Sequence, residues 1–154
     1  MIHLNLITVG KLKENYWQEA EKEYLKRLQP WAKISFTEIK EEPFDEKSNL
    51  DLIKNIEAKK IINKLSTGIN FVLDSQGEKI TSNDLAEIIK NSSLKNSTFN
   101  FIIGGPLGLD DRIKKIGKKI SLSNLTFTHQ MARIILLEQL YRSYMINANR
   151  RYHY

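Results

Sequence analysis

Ile2, Leu4 and Leu6 alternate with polar residues ahead of Ile7 to Val9, and Gly10 ends the run. A period of two predicts a first strand here. The next apolar set, Trp17, Ala20, Tyr24 and Leu28, is spaced by three and four, which predicts an amphipathic helix closed by Pro30. Ile34 to Ile39 reads as a second strand. The charged stretch Lys40 to Ser48, with Pro43 inside it, reads as a mobile loop. Ser48 or Asn49 can cap a helix carrying Leu52, Ile53, Ile56, Ile61 and Leu65 and stopped by Gly68. Ile69 to Leu73 predicts a third strand, ending in the loop Asp74-Ser75-Gln76-Gly77. Thr81-Ser-Asn-Asp84 has the form of a capping box ahead of a helix with Leu85, Ile88 and Ile89.

Thr98 to Ile103 predicts a buried fourth strand that stops at Gly104-Gly105-Pro106-Leu107-Gly108. Leu109, Ile113, Ile116 and Ile120 then fall on one side of a short basic helix, with Lys114, Lys115, Lys118 and Lys119 elsewhere. Leu122 to Phe127 is a short segment that runs into a last helix, from His129 or Gln130 to about Asn147. The order βαβαβαβαβα predicts an α/β fold, a mainly parallel sheet with helices on both faces. A chain of 154 residues is long enough to bury a core as one domain, residues 1–154. The last helix is apolar nearly all round, with a thin polar side at Glu138, Gln139 and Arg142. Such a helix needs burial on more than one side, and a second copy of the chain is an economical cover.

Composition narrows the chemistry more than the fold. There is no cysteine, so disulfides and thiolate catalysis are excluded. The three histidines, His3, His129 and His153, form no ligand-spaced pair, so no metal site is expected. No apolar run is long enough for a membrane span, and the N-terminus reads as a strand and not a signal peptide, so a cytoplasmic location is expected. Lys and Arg number 24 against 18 Asp and Glu, a net charge of +6 that favours a polyanionic partner such as nucleic acid without requiring one. Lys54, Lys59, Lys60 and Lys64 read as the solvated side of their helix.

Two stretches carry the candidate chemistry. A glycine-rich turn at the C-terminal end of a strand is where α/β sheets bind ligands, because glycine lets the backbone approach closely. GGPLG has that position, although the same residues suit a plain tight turn. Leu122 to Phe127, whose polar groups lie largely in its backbone and in Ser123, Asn124 and Thr126, supplies a second such loop. The two flank one short helix and could wall a single pocket. The C-terminal Asn147-Ala-Asn-Arg-Arg-Tyr-His-Tyr carries basic and aromatic groups where a frayed end is the default, which points to a tail that docks.

These residues together resemble a known family. Leu4 to Gly10 (LNLITVG), Leu73-Asp74, Ile103 to Gly108 (IGGPLG), Leu122 to Phe127 (LSNLTF), His129 to Arg133, Glu138 to Arg142 (EQLYR) and Tyr152-His153 carry the match. The chain resembles the small knotted methyltransferases of the SPOUT class, and within it the RlmH family, which methylates N3 of a pseudouridine in bacterial large-subunit (23S) ribosomal RNA. Thr128 and Arg151 stand where that family often has proline. The resemblance implies a C-terminal deep trefoil knot, against the usual rule that chains do not thread. It implies S-adenosyl-L-methionine bound bent among three loops, at Leu73, at Gly104 and Gly105, and at Leu122, Ser123, Asn124, Leu125, Thr126 and Phe127. It also implies a homodimer in which the tail of one protomer reaches the cofactor of the other, with the ribosome as partner.

Methyl transfer to an imide nitrogen requires a lost proton and a stabilised anion. On the resemblance, His153, Tyr152 and Arg142 are the catalytic candidates, since a histidine titrates near neutral pH. His129 fits either a packed helix-start residue or a substrate contact. A non-enzymatic RNA-binding or ribosome-assembly factor is the alternative reading. A phosphate-cradling GGPLG ranks last, because no Lys-Ser/Thr follows it.

Overall fold

The computed structural model describes residues 1–152. Five strands, β1 (Ile2–Val9), β2 (Ala32–Ile39), β3 (Ile69–Lys79), β4 (Thr98–Ile103) and β5 (Lys118–Ser121), form one sheet in the order β2-β1-β4-β3-β5. Every neighbouring pair is parallel. The helices α1 (Asn15–Leu28), α3 (Ser82–Ser93) and α5 (His129–Asn147) cover one face, with α5 packed between α1 and α3. On the other face lie α2 (Leu50–Ile62) and the short α4 (Asp111–Lys114).

Strand alternation sorts the core into two halves. Leu4, Leu6, Phe71, Phe99, Phe101 and Ile120 meet Leu28, Leu85, Ile89, Leu136, Leu137 and Leu140. Ile7, Val9, Val72 and Ile102 meet Ala58, Ile61 and Ile113 on the opposite face. One row of the sheet is polar. Asn5, Asn100 and Asn70 are register partners on β1, β4 and β3. Asn5 Nδ2 donates to Asn100 Oδ1 at 2.7 Å, and Asn100 Nδ2 donates to Asn70 Oδ1 at 2.8 Å. Ser35 of β2 extends the row by donating to Asn5 Oδ1 at 3.1 Å.

The capping expectations hold in detail. Asn49 caps α2 by accepting from Leu52 N, and Thr81 and Asp84 close a full capping box on α3. Three expectations need correction. Ile120 lies in β5 and not in a helix: α4 stops at Lys114, Gly117 sits against the backbone of Asn70, and Ile120 enters the main core. Pairing with β3 thus overrides a spacing that mimics a helix. Second, β3 does not end at Leu73: it continues through Asp74-Ser75-Gln76-Gly77 as a bulge, pairs with β5 again at Glu78 and runs to Lys79. Third, residues 40–48 are tied down: Glu42 accepts an ion pair from Lys60 and its amide donates to Glu57, while Asp45 and Ser48 bond each other.

Candidate active site

A bulge within β3 and the loops that leave the C-terminal ends of β4 and β5 converge. Leu73 and Glu78 both pair with Ile120, so the residues between them bulge out of β3. Gly77 makes this possible, because a Cβ there would lie 2.8 Å from the Ile120 amide nitrogen. In the loop after β4, Gly108 N donates to Gly105 O at 3.0 Å, and Gly108 takes the left-handed conformation at φ 77°. Gly104 and Gly105 answer a different need. A Cβ on Gly104 would stand 2.8 Å from Leu109 Cγ, and one on Gly105 3.0 Å from Val9 Cγ1, so closeness and not torsion requires glycine. After β5, Ser121 Oγ donates to the Ser123 carbonyl at 2.8 Å and Ser123 Oγ accepts from Leu125 N at 3.0 Å.

The loops enclose a cleft of about 690 Å³, within the range of small-molecule sites. Leu73, Gly104, Gly105, Leu122, Ser123, Leu125, Thr126 and Phe127 all line it; Asn124 does not. Three titratable side chains join them: Asp74, Lys114 and His129. Neither Arg142 nor Tyr152 is in the lining.

His129 opens α5 behind Thr128, whose hydroxyl accepts from Met131 N at 3.3 Å. A proline could not make this cap, so threonine here secures the helix start by a side-chain bond. His129 Nε2 faces Glu41 Oε1 at 3.4 Å, both buried and neither in hydrogen-bond geometry. Gly10, at φ 91°, leaves the space: a Cβ there would strike the Glu41 carboxylate and His129 Nε2. Burial pushes the His129 pKa below its ordinary value, Lys13 and Arg133 add to this, and Glu41 and Glu14 oppose it. One turn on, Arg133 is buried beneath Glu21 and Glu38, at 2.6 and 2.7 Å, with its guanidinium 4.6 Å from the Phe36 ring centre. It joins α1, β2 and α5, a structural clamp beside the cleft and not a part of its wall.

The structure brings Arg142 and Tyr152 together at the far end of α5. Arg142 binds Glu138 at 2.5 Å, its guanidinium lies 4.8 Å over the Tyr152 ring, and the Tyr152 hydroxyl reaches Glu138 at 3.2 Å. Tyr152 also packs edge-on against Tyr141. Burial first, and then the Glu138 charge, push the Tyr152 hydroxyl up to about 12, so it stays protonated and able to donate. His153 lies outside the described residues. Among the described residues no cluster of His, Cys, Asp or Glu could hold a metal ion, and no helix is long and apolar enough to cross a membrane.

Sequence reasoning assigned no role to the side chains of Asp74, Lys114 or Glu41. Asp74 had a signal, an acidic residue at the tip of an apolar strand; Glu41, inside a charged run, had none.

Residues 2–153 match the family model described as predicted SPOUT methyltransferase, and the chain belongs to that family. Its fold agrees: it superposes over 99% of its length on 70% of a probable methylase family protein from Haemophilus influenzae, with a TM-score of 0.53 at 11% identity. More similar in sequence are proteins named ribosomal RNA large subunit methyltransferase H. Those from Desulforamulus reducens and Oenococcus oeni are each 41% identical, with 99% of both chains covered. The one from Bacillus pumilus is 37% identical over the same share.

Proposed function

We propose that this chain is the S-adenosylmethionine-dependent enzyme that methylates N3 of a pseudouridine in bacterial 23S ribosomal RNA. It acts in the cytoplasm, on the assembled ribosome, as a homodimer of single-domain protomers whose C-terminal part is tied in a deep trefoil knot. The observation that carries this reading is the convergence of the β3 bulge and two strand-end loops, one of them GGPLG, on a single cleft. Relatives covering the whole chain bear the name of a ribosomal RNA methyltransferase.

The cleft suits the cofactor. Leu73, Leu122, Leu125 and Phe127 offer apolar surface to a flat purine, and the backbone of residues 122–127 offers donors and acceptors to its edge. When bound, S-adenosylmethionine supplies a methyl group on a sulfonium, open to in-line displacement. The protein's own task is to position the nucleophile and manage charge. N3 of pseudouridine is a weakly acidic imide, so Arg142 and the protonated Tyr152 suit the stabilisation of its anion, and His153 suits the proton transfer. Arg142 and Tyr152 sit outside the cleft of their own chain, paired with Glu138. That separation favours a composite site in which the tail serves the cleft of the partner.

The test is to supply purified protein with methyl-labelled S-adenosylmethionine and either assembled ribosomes or free 23S RNA from cells lacking the modification. Mass spectrometry of the digested RNA is expected to find N3-methylpseudouridine from the ribosomes. An RNA-binding factor without enzymatic activity would transfer no label and show no affinity for the cofactor.

A further inference from the structure

Asp74 is an unexplained group in the wall of the cleft. It stands just past the β3 residue Leu73 where the bulge begins, and its side chain is only 7% exposed. One oxygen, Oδ1, accepts from the Gln76 amide at 3.0 Å. The other, Oδ2, is buried and has no hydrogen-bond partner. The nearest cation is Lys114 Nζ at 3.8 Å, too far for a hydrogen bond, on a side chain that is one-third exposed. Leaving a buried carboxylate oxygen unbonded costs the desolvation of that atom with nothing in return. Such an atom in a ligand cleft marks the place of a missing donor. Lys114 sets a positive charge beside the carboxylate without occupying the free lone pairs.

We infer that Asp74 is a cofactor-recognition residue, its Oδ2 accepting a hydrogen bond from S-adenosylmethionine. The inference rests on the cofactor reading above and goes beyond it by assigning a charged side chain to a site otherwise made of backbone and apolar groups. The cofactor has donors in three places, the adenine amino group, the ribose hydroxyls and the ammonium of its methionine end. Each suits a carboxylate acceptor beside a lysine. The ammonium has a further match, since the adjacent cofactor carboxylate would meet Lys114.

The substitution Asp74→Asn tests this with little change of shape. The Gln76 amide needs an acceptor, which holds the carboxamide oxygen in the Oδ1 place and turns the NH₂ group toward the ligand. A donor then faces a donor. Calorimetry on the full-length protein is expected to show S-adenosylmethionine binding about 10- to 100-fold weaker, the range for a lost charge-assisted hydrogen bond. Unchanged thermal unfolding would show that the fold is kept, and Asp74→Ala provides a second variant that removes the acceptor outright. Titration with 5′-methylthioadenosine, which keeps the nucleoside and lacks the amino-acid end, separates the two ends of the cofactor. An undiminished penalty assigns the nucleoside donors, and a vanished penalty assigns the ammonium. Wild-type affinity in both folded variants would overturn the role of Asp74. Failure of the wild-type protein to bind the cofactor at all would instead overturn the reading on which this rests.

Discussion

Single residues near the cleft show how burial sets chemistry. His129 is held in its low-pKa state mainly by desolvation, with Glu41 too poorly aligned to restore the charge. The sign of the linkage follows. In the unfolded chain this histidine binds a proton near its ordinary value of about 6.5, while the folded protein resists protonation until lower pH. Its contribution to stability is therefore intact above that value and declines as pH falls through it. Urea midpoints at pH 7.5 and 5.5 are expected to differ more for the wild type than for His129→Asn. An equal drop in both proteins would place the acid sensitivity elsewhere. Asp74, Glu41 and His129 share one property, a polar atom buried without a bond. No pattern of spacing along the chain announces such an atom.

At the scale of elements, the strands were legible as short apolar runs because the sheet is buried on both faces, and the long helices because their apolar residues recur at helical spacing. The caps at Asn49 and Thr81 were legible too, since local side-chain bonds define them. The short segments were not. Residues 109–120 carry an apolar spacing that suits a helix, and only the partner strand β3 decides that Lys118–Ser121 is extended. The asparagine row escaped the reading for a similar reason, although each asparagine interrupts an apolar run. Asn100 is fully buried and uses its whole capacity: Oδ1 accepts from Asn5 and Ser66 N, and Nδ2 donates to Asn70 and Ser66 O. A sheet slipped by one residue would strand these amides against apolar side chains, so the row fixes register as well as adding bonds. Replacing Asn100 by Leu leaves several buried partners unpaired and is expected to cost roughly 3 kcal/mol or more. Chemical denaturation would measure it, and a loss below about 1 kcal/mol would mean that water or repacking satisfies the row.

For the whole molecule, the two halves of the proposed site lie apart in one chain, with the cleft at the strand ends and Arg142 with Tyr152 near the other end of α5. A second copy is the natural way to join them. Along α5, Ile134 and Tyr141 at the edge of the core are only half-buried and Met131 is 37% exposed, more apolar surface than a solvated helix needs. The decisive experiment uses two crippled protomers. Tyr152 belongs to no strand or helix and does not line the cleft, so after deletion of Tyr152 to Tyr154 cofactor affinity should hold within a few-fold. Gly105→Val leaves the tail intact but drives a side chain against Val9, forcing the GGPLG turn out of place and abolishing cofactor binding. The same crowding is expected to lower stability by about 1–3 kcal/mol without unfolding the chain. In the homodimer proposed above, each variant alone should lose methyl transfer by about 10²-fold or more. Heterodimers purified through two different tags combine one intact cleft with one intact tail on opposite protomers. If the tail works across the interface, that pair completes one site of two, and the heterodimer should recover about half the wild-type rate. An inactive heterodimer would refute the trans arrangement, and a fully active tail deletion would remove the tail from catalysis altogether.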